Sequence, residues 1–485
     1  MPLHIRNGLV LSSAHGLPER TDVLIEGRHI AAVGVDLQPP DGAESLDASG
    51  RLLVPGFINA HTHGRENLLK GLVDNRPLEE WLFQLAALSD DRTPEDQYVS
   101  VALGAIEMLK HGVTSAYEVF THIPVVDAPV IAAVVRAYSD IGLRAIVAPA
   151  VSDIPFHHSI PGLLQRLDSA YRSELDRLFP LRDGRLALDS VAEALPVCEG
   201  NELVRLALSP VIPERCSHEF LVACRDFAES HDLPIHTHLL ETRLQAIERH
   251  RRDNCTTPEL LDRLGLLTPK TSLAHAVWVT DRDIELIARR ECAVIHNPLS
   301  NLKLGSGFMP MKKMRQQNVK IAIGTDGCAS ADHQNIFEAT RLAAYIHRPS
   351  EDDYEAWPRS EQVLHAAWEG GAHAMGLESK LGRIAPGYLA DIAILDMNSE
   401  ALTPLNNATN QLVFCENGNS VRTVIVDGRI VLDNGEPTLV NADEIKARAR
   451  ETALRLTRNA RRAQILLRAE PAVQAARLAA FASHR

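Results

Sequence analysis

The sequence predicts an α/β protein, a (β/α)8 barrel of the TIM type with a small β-sandwich domain formed by both termini. Three observations carry this expectation. Apolar strand-like runs alternate with helical stretches from 56 to 384. Short strand-and-turn patterns flank that region on both sides. Polar side chains recur where several of the apolar runs stop. A chain of 485 residues is long enough for a barrel plus an accessory domain.

Residues 1–55 read as the first part of the β-sandwich. The runs HIRNGLVLSS, DVLIEGRHIAAVG and SLDASGRLLVPG are punctuated by Asn7-Gly8 and Glu26-Gly27, where hairpin turns are expected. The barrel is assigned to 56–384. Its runs RAIVAPAV, RLALSPV, LPIHTHL, TSLAHAV, CAVIHNP and VKIAIGTD are apolar on both faces, as parallel strands covered by helices must be. A doubly wound sheet is the alternative, but no GxGxxG follows an early strand. Residues 385–440 bring back the hairpin pattern in ADIAILDM and VRTVIVDGRIVLDNGEP, with turns at Asp427-Gly428 and Asn434-Gly435. They are expected to pair with the N-terminal segment.

The last stretch, 441–485, is rich in Ala, Arg and Leu and reads as a helical extension. Asn441 or Asp443 can cap it, its acidic start and basic body suit the helix macrodipole, and Pro471 divides it. It is expected to pack on the barrel or on a neighbouring subunit. The net charge of −13 argues against a nucleic-acid partner for its basic face. Seven scattered cysteines without a CxxC pair read as reduced thiols of a cytoplasmic protein. No segment reaches the roughly 18 apolar residues of a membrane span.

The run Phe57-Ile58-Asn59-Ala60-His61-Thr62-His63 ends in His-x-His, and side chains two apart on a strand face the same way. Such a pair of neutral imidazoles suits a borderline divalent ion. A second apolar strand ends in His236-Thr237-His238, with Glu241 three residues on. Either histidine can be a ligand. His238 lies nearer the C-terminal end of the strand, where barrel active sites sit, and is assigned to the metal. A third strand ends at His275, which by itself reads as a hydrogen-bonded core histidine. A fourth ends at Asp326, whose buried carboxylate needs a metal or an arginine to neutralise it. Together these put polar groups at one end of four strands.

The stretches LVPGFINAHTHGRENLLKGL, PLEEWLF, HTHLLET, LAHAVW, HNPLSNLKLGSGFMP and GTDGCAS resemble the amidohydrolase superfamily. Within it they are most similar to the branch of methylthioadenosine/S-adenosylhomocysteine deaminases, guanine deaminase and triazine hydrolases. The resemblance runs from about Leu9 to Leu439 and includes the split β-sandwich. It implies that His61, His63, His238 and Asp326 bind one divalent ion per subunit, zinc or, as the alternative, ferrous iron. It implies that Glu241 handles protons and that His275 contacts the activated water or the substrate. Two-metal relatives use a carboxylated lysine on strand four; RLALSP has none, so a single ion is expected.

The implied reaction is hydrolytic deamination of an amino-substituted N-heterocycle, with Asp326 taking the water's proton, His275 orienting it and Glu241 protonating a ring nitrogen. Another leaving group (chloride, an amide or lactam nitrogen, a guanidine) is the alternative, and a non-catalytic homologue the remote one. The expected partner is a small heterocycle, without nucleic acid or membrane, in a homo-oligomer. Substrate contacts are expected from Trp81 and Trp278, which can stack on a flat ring, from Asp90, and from His157 and His158. The last two sit in a long insertion at 152–185. A nucleoside is put in doubt by Ala148-Pro149-Ala150 and Pro210-Val211-Ile212-Pro213, which lack the Arg and the His of adenosine-type relatives.

Overall fold

The computed structural model describes residues 2–88, 92–122, 126–179, 183–456 and 460–483. The N-terminal segment supplies strands β1 (Leu3–Val10), β2 (Glu19–Glu26), β3 (His29–Gly34), β4 (Glu44–Asp47) and β5 (Arg51–Pro55). Next come β6 (Phe57–Thr62), β7 (Val113–Phe120), β8 (Arg144–Val151), β9 (Val204–Leu206) and β10 (Ser209–Pro210). They form one parallel sheet, ordered β10-β8-β7-β6 with β9 also on β8. A second parallel sheet holds β11 (Ile235–Leu239), β12 (Thr271–His275), β13 (Ala293–His296) and β14 (Lys320–Ile323) in chain order.

Hydrogen bonds join these two sheets on both sides. Leu208 bridges to Ile235 in parallel, and His238 N donates to Val211 O at 3.1 Å. On the opposite side Asp326 N donates to His61 O at 3.0 Å. Every residue of β7, β11, β12 and β13 is buried, as strands covered on both faces require. The registers bring His238 beside Ala274 and Leu239 beside His275, so the functional candidates share the C-terminal end of the sheet.

The terminal segments do pair. Strands β15 (Ile392–Asp396), β16 (Val421–Val426), β17 (Arg429–Asp433) and β18 (Glu436–Pro437) continue the N-terminal strands in one nine-stranded sheet, with β15 antiparallel to β5 from Ile392↔Pro55 to Asp396↔Arg51. Asp427-Gly428 and Asn434-Gly435 close two-residue hairpins with positive φ at both positions, the twist such turns demand. Asn7-Gly8 is a correction to the sequence reading. β1 runs straight through it to Val10, and the pair forms a bulge, Asn7 at φ 64°. A Cβ on Gly8 would come within 2.6 Å of Leu53, so the dipeptide serves close packing of β1 on its neighbour. Buried Arg144, at the start of β8, pairs with Asp391 (3.0 Å) and Asp427 (2.8 Å) and ties the terminal sheet to the parallel strands.

The insertion at 152–185 and the C-terminal extension build a cap over the same end. The extension folds as helices Ala442–Leu456, Ala460–Leu467 and Glu470–Ala482, with Pro471 in the first turn of the last. Leu466, Val473 and Ala476 share a buried cluster with Phe83, Phe156, Leu163 and Leu175, joining the extension to the helix Leu78–Ala87 and to the insertion. Glu470 accepts from Arg76 at 2.7 Å and Gln84 at 2.6 Å, and Tyr171 donates to Ile465 O. The extension therefore packs within its own chain. Among the described residues no helix is long and apolar enough to cross a membrane.

Candidate metal centre

Four elements deliver the polar groups. His61 is the fifth residue of β6 and His63 follows its end; His238 lies in β11; His275 closes β12; Asp326 stands three residues past β14. All five are buried. His275 (φ 73°) and Asp326 (φ 66°) are held in the left-handed region, which costs a non-glycine residue about 1–3 kcal/mol and is met where geometry is imposed for a purpose. Gly324 lies against β6: a Cβ there would fall 2.8 Å from His61 Cβ.

The hydrogen bonds decide where each imidazole proton sits. His63 Nδ1 lies 2.7 Å from Val119 O and His238 Nδ1 lies 2.7 Å from Val211 O. A carbonyl only accepts, so both Nδ1 atoms donate and both Nε2 atoms carry lone pairs. Those Nε2 atoms face each other at 3.2 Å. Ser272 Oγ donates to Ile235 O and so accepts from His236 Nδ1 at 2.7 Å; His236 Nε2 then accepts from His61 Nδ1 at 2.8 Å. His61 Nε2 is left as a lone pair, buried and without a partner. Asp326 Oδ1 stands 3.3 Å from His63 Nε2 and 3.7 Å from His61 Nε2.

With the imidazoles neutral, acceptors thus converge with no proton between them, an arrangement that is repulsive unless a proton or a metal cation occupies the middle. The donor atoms of His61, His63 and His238 lie within 4.8 Å of one another, as do those of His61, His275 and Asp326. Burial and neighbouring imidazoles hold His61 and His238 well below the usual histidine range, so both remain neutral donors. Burial also opposes protonation of His63, but Asp326 and Glu66 more than offset it and raise its affinity for a proton. The group calls for one positive charge, and three imidazoles with a carboxylate are the chemistry of a zinc-like ion.

His275 and Glu241 complete the centre. His275 Nδ1 donates to Asn301 Oδ1 at 3.0 Å, which leaves Nε2 unprotonated, buried and without a hydrogen-bond partner. It faces Asp326 Oδ2 at 3.7 Å and Glu241 Oε2 at 3.9 Å. Burial, reinforced by Asp326 and Glu79, raises the Glu241 carboxyl well above the ordinary range. Ser306 Oγ donates to Glu241 Oε1 at 3.4 Å.

The other expected contact residues lie in different surroundings. Trp81 is buried and donates Nε1–H to Ala329 O at 3.2 Å. Trp278 is 41 % exposed and donates to the carbonyl of Ser306 at 2.7 Å, the residue whose hydroxyl donates to Glu241. His157 and His158 both bond to Asp176, at 2.8 and 2.9 Å, and neither lines the cavity beside the centre. Asp90 lies outside the described residues. Sequence reasoning passed over Glu118, which accepts Gly64 N at 2.7 Å and Tyr138 Oη at 2.7 Å and whose pKa burial raises to about 7. A lone carboxylate inside the apolar run VTSAYEVF was the available signal. Glu66 was also missed; it accepts Ala329 N at 3.1 Å beneath the centre.

The amidohydrolase family model matches residues 52–431. The chain belongs to the amidohydrolase family. Among its amidohydrolase relatives, a 5′-deoxyadenosine deaminase of Methanothermobacter thermautotrophicus is 34% identical over 441 residues, covering 90% of this chain and 95% of the relative. A 5-methylthioadenosine/S-adenosylhomocysteine deaminase of Pyrococcus furiosus is 31% identical, covering 91% and 97%. Among solved structures, a zinc-bound adenosine deaminase from Xanthomonas campestris is 26% identical with a TM-score of 0.82, covering 94% and 98%. A zinc complex of an atrazine chlorohydrolase from Arthrobacter aurescens shares the fold at a TM-score of 0.83 and 24% identity, covering 93% and 100%.

Proposed function

We propose that this amidohydrolase is a hydrolytic deaminase that releases ammonia from an amino-substituted N-heterocycle. The observation that carries the reading is the set of unprotonated nitrogens and a carboxylate facing one point, with Glu241 and His275 on its rim. The names of the relatives support deamination over the other leaving groups, since those named above act on adenosine derivatives. The two parallel sheets, bonded on both sides, support a closed (β/α)8 barrel over 56–384. The shared terminal sheet supports a β-sandwich of 1–55 with 385–440, and 441–485 is the extension.

His61, His63, His238 and Asp326 are the residues to hold one divalent ion, zinc by analogy with the zinc-bound neighbours. Bound there, such an ion supplies Lewis acidity and brings the pKa of a water toward neutrality. Asp326 Oδ2 and His275 Nε2 both present lone pairs to the rim, and one of them accepts the proton lost by the attacking water. Glu241, kept protonated by burial, donates to the ring nitrogen beside the carbon under attack and so offsets the charge developing on the ring. His275 or Asp326 then returns its proton to the departing amine, which leaves as ammonia, while the proton of the adduct's hydroxyl passes to the Glu241 carboxylate and restores the acid.

The test is ammonia release from a panel of amino-purines, pterins, pyrimidines and triazines by the zinc-loaded protein, with metal content measured on the same material. Release that stops on chelation and returns with zinc is expected. Chloride release from a chlorotriazine, without ammonia from any amine, would replace the proposal by its chlorohydrolase alternative.

A further inference from the structure

Beside the centre lies a cavity of about 200 Å³. Three backbone ties place it next to the centre. Arg65, on its wall, is two residues beyond His63; Val211, also on its wall, accepts from His238 Nδ1; and Thr121 stands two residues past Val119, which accepts from His63 Nδ1. The remaining wall is largely apolar, with Leu85 from the helix Leu78–Ala87 and Phe156 and Phe179 from the cap.

One group in this wall is out of keeping with its surroundings. Arg215 sits at the end of the short turn Pro213–Arg215 that follows β10. Its described side-chain bond is from Nη2 to Ser152 Oγ, at 3.2 Å; its Nε is buried and has no hydrogen-bond partner. Among the described residues no carboxylate forms an ion pair with it. Glu214, its neighbour in sequence, is engaged with Thr257 Oγ1 at 2.6 Å and Arg249 at 3.5 Å, and Asp153, on the same wall, with Ser217 N at 2.9 Å and Ser217 Oγ at 2.5 Å. Burial lowers the guanidinium to about 10, so it stays charged at neutral pH. A half-buried cation with a buried, unused N–H and no ion-paired carboxylate among the described residues is costly to keep unless something else supplies the anion.

We propose that this cavity receives a short acidic arm of the substrate, a carboxylate carried a few bonds from the amino-heterocycle, and that Arg215 recognises it. The proposal deepens the deaminase reading and rests on it for the identity of the ring. A carboxylate matches the planar fork of a guanidinium. A dianionic phosphate is disfavoured because the Asp153 carboxylate lines the same wall. The apolar side faces the methylene stem of the arm.

The experiment compares 9-(2-carboxyethyl)adenine with its methyl ester in the zinc-loaded protein, for the wild type, Arg215→Met and Arg215→Lys. The wild type is expected to favour the acid by about 10- to 100-fold in kcat/KM, mostly through KM, as a charge-assisted hydrogen bond allows. Arg215→Met should bring the ratio to about one, and Arg215→Lys should restore part of it, which a misfolded variant would not. In parallel, calorimetry follows binding of 3-(purin-9-yl)propionate and of its methyl ester, which carry no amine to lose. A preference for the acid in binding, lost in Arg215→Met, with no ammonia from either adenine, would sustain the acidic-arm site and sink the deaminase reading. Equal handling of acid and ester by the wild type, in turnover and in binding, or a preference that survives Arg215→Met, overturns the proposal.

Discussion

His61, His63, His238 and Asp326 turn unprotonated atoms toward one another, two of the imidazoles meeting at 3.2 Å. His157 and His158, in the cap, turn their N–H groups onto a single oxygen of Asp176 at 2.8 and 2.9 Å. Both groups lie within ligand reach of a metal by distance alone. What separates them is the other nitrogen of each ring. In the centre, backbone carbonyls and His236 occupy the Nδ1 atoms and fix the tautomer, so in the neutral rings the inward nitrogens are acceptors. In the cap no such constraint exists: His157 Nδ1 is buried without a partner, Nε2 is free to be the donor, and Asp176 is satisfied by protons. Proximity of histidines is therefore weak evidence for a metal, and the direction of their lone pairs is strong evidence.

The contrast breaks most sharply on removal of a donor. His238→Ala should lose the metal on dialysis and at least about 10³ in turnover, whereas Asp176→Ala should keep full metal content by elemental analysis. Full metal in His238→Ala would transfer the donor role to His236. Next in size, Glu241→Gln should retain the ion and lose at least about 10² in kcat; near-normal ammonia release from that variant would take Glu241 out of the proton path.

A smaller effect sharpens the role of the outer bond. His236→Phe removes the acceptor that orients His61 and should weaken zinc affinity by about 10- to 100-fold in chelator competition, while unchanged affinity would mean that His61 needs no such support. The smallest concerns the cap. Burial depresses His157 from the usual 6.5 to about 4, against the pull of Asp176. Its contribution to folding is thus present above pH 6.5 and is lost as pH falls toward 4. Limited proteolysis should find the 152–185 segment increasingly sensitive over that window, and a flat response would show that His157 does not clasp the cap.

Much of this was legible from sequence for reasons of periodicity and position. Apolar runs buried on both faces could only be covered parallel strands, and the hairpin dipeptides Asp427-Gly428 and Asn434-Gly435 stand where their φ preferences place them. Asn7-Gly8 carries the same local signal yet sits inside a strand, because Leu53 of a neighbouring strand decides what fits there. His157 and His158 looked like pocket residues because they fall in a long insertion; Asp176, one helix later, claims both. Trp81 was legible as a large ring but not as a donor to Ala329 O, since its partner lies far away in sequence.

By itself the chain determined which side chains reach the C-terminal ends of the strands, because a strand's alternation and stopping point are local properties of its residues. Tertiary structure alone decided which nitrogen of each histidine bears the proton, that Glu241 lies in a place dry enough to keep its own, and that Arg215 has no ion-paired carboxylate among the described residues. Those outcomes depend on atoms contributed by distant segments, Val119 O, Val211 O, Asn301 and the cap, and electrostatic environment is set by what surrounds a group in space and not by what adjoins it along the backbone.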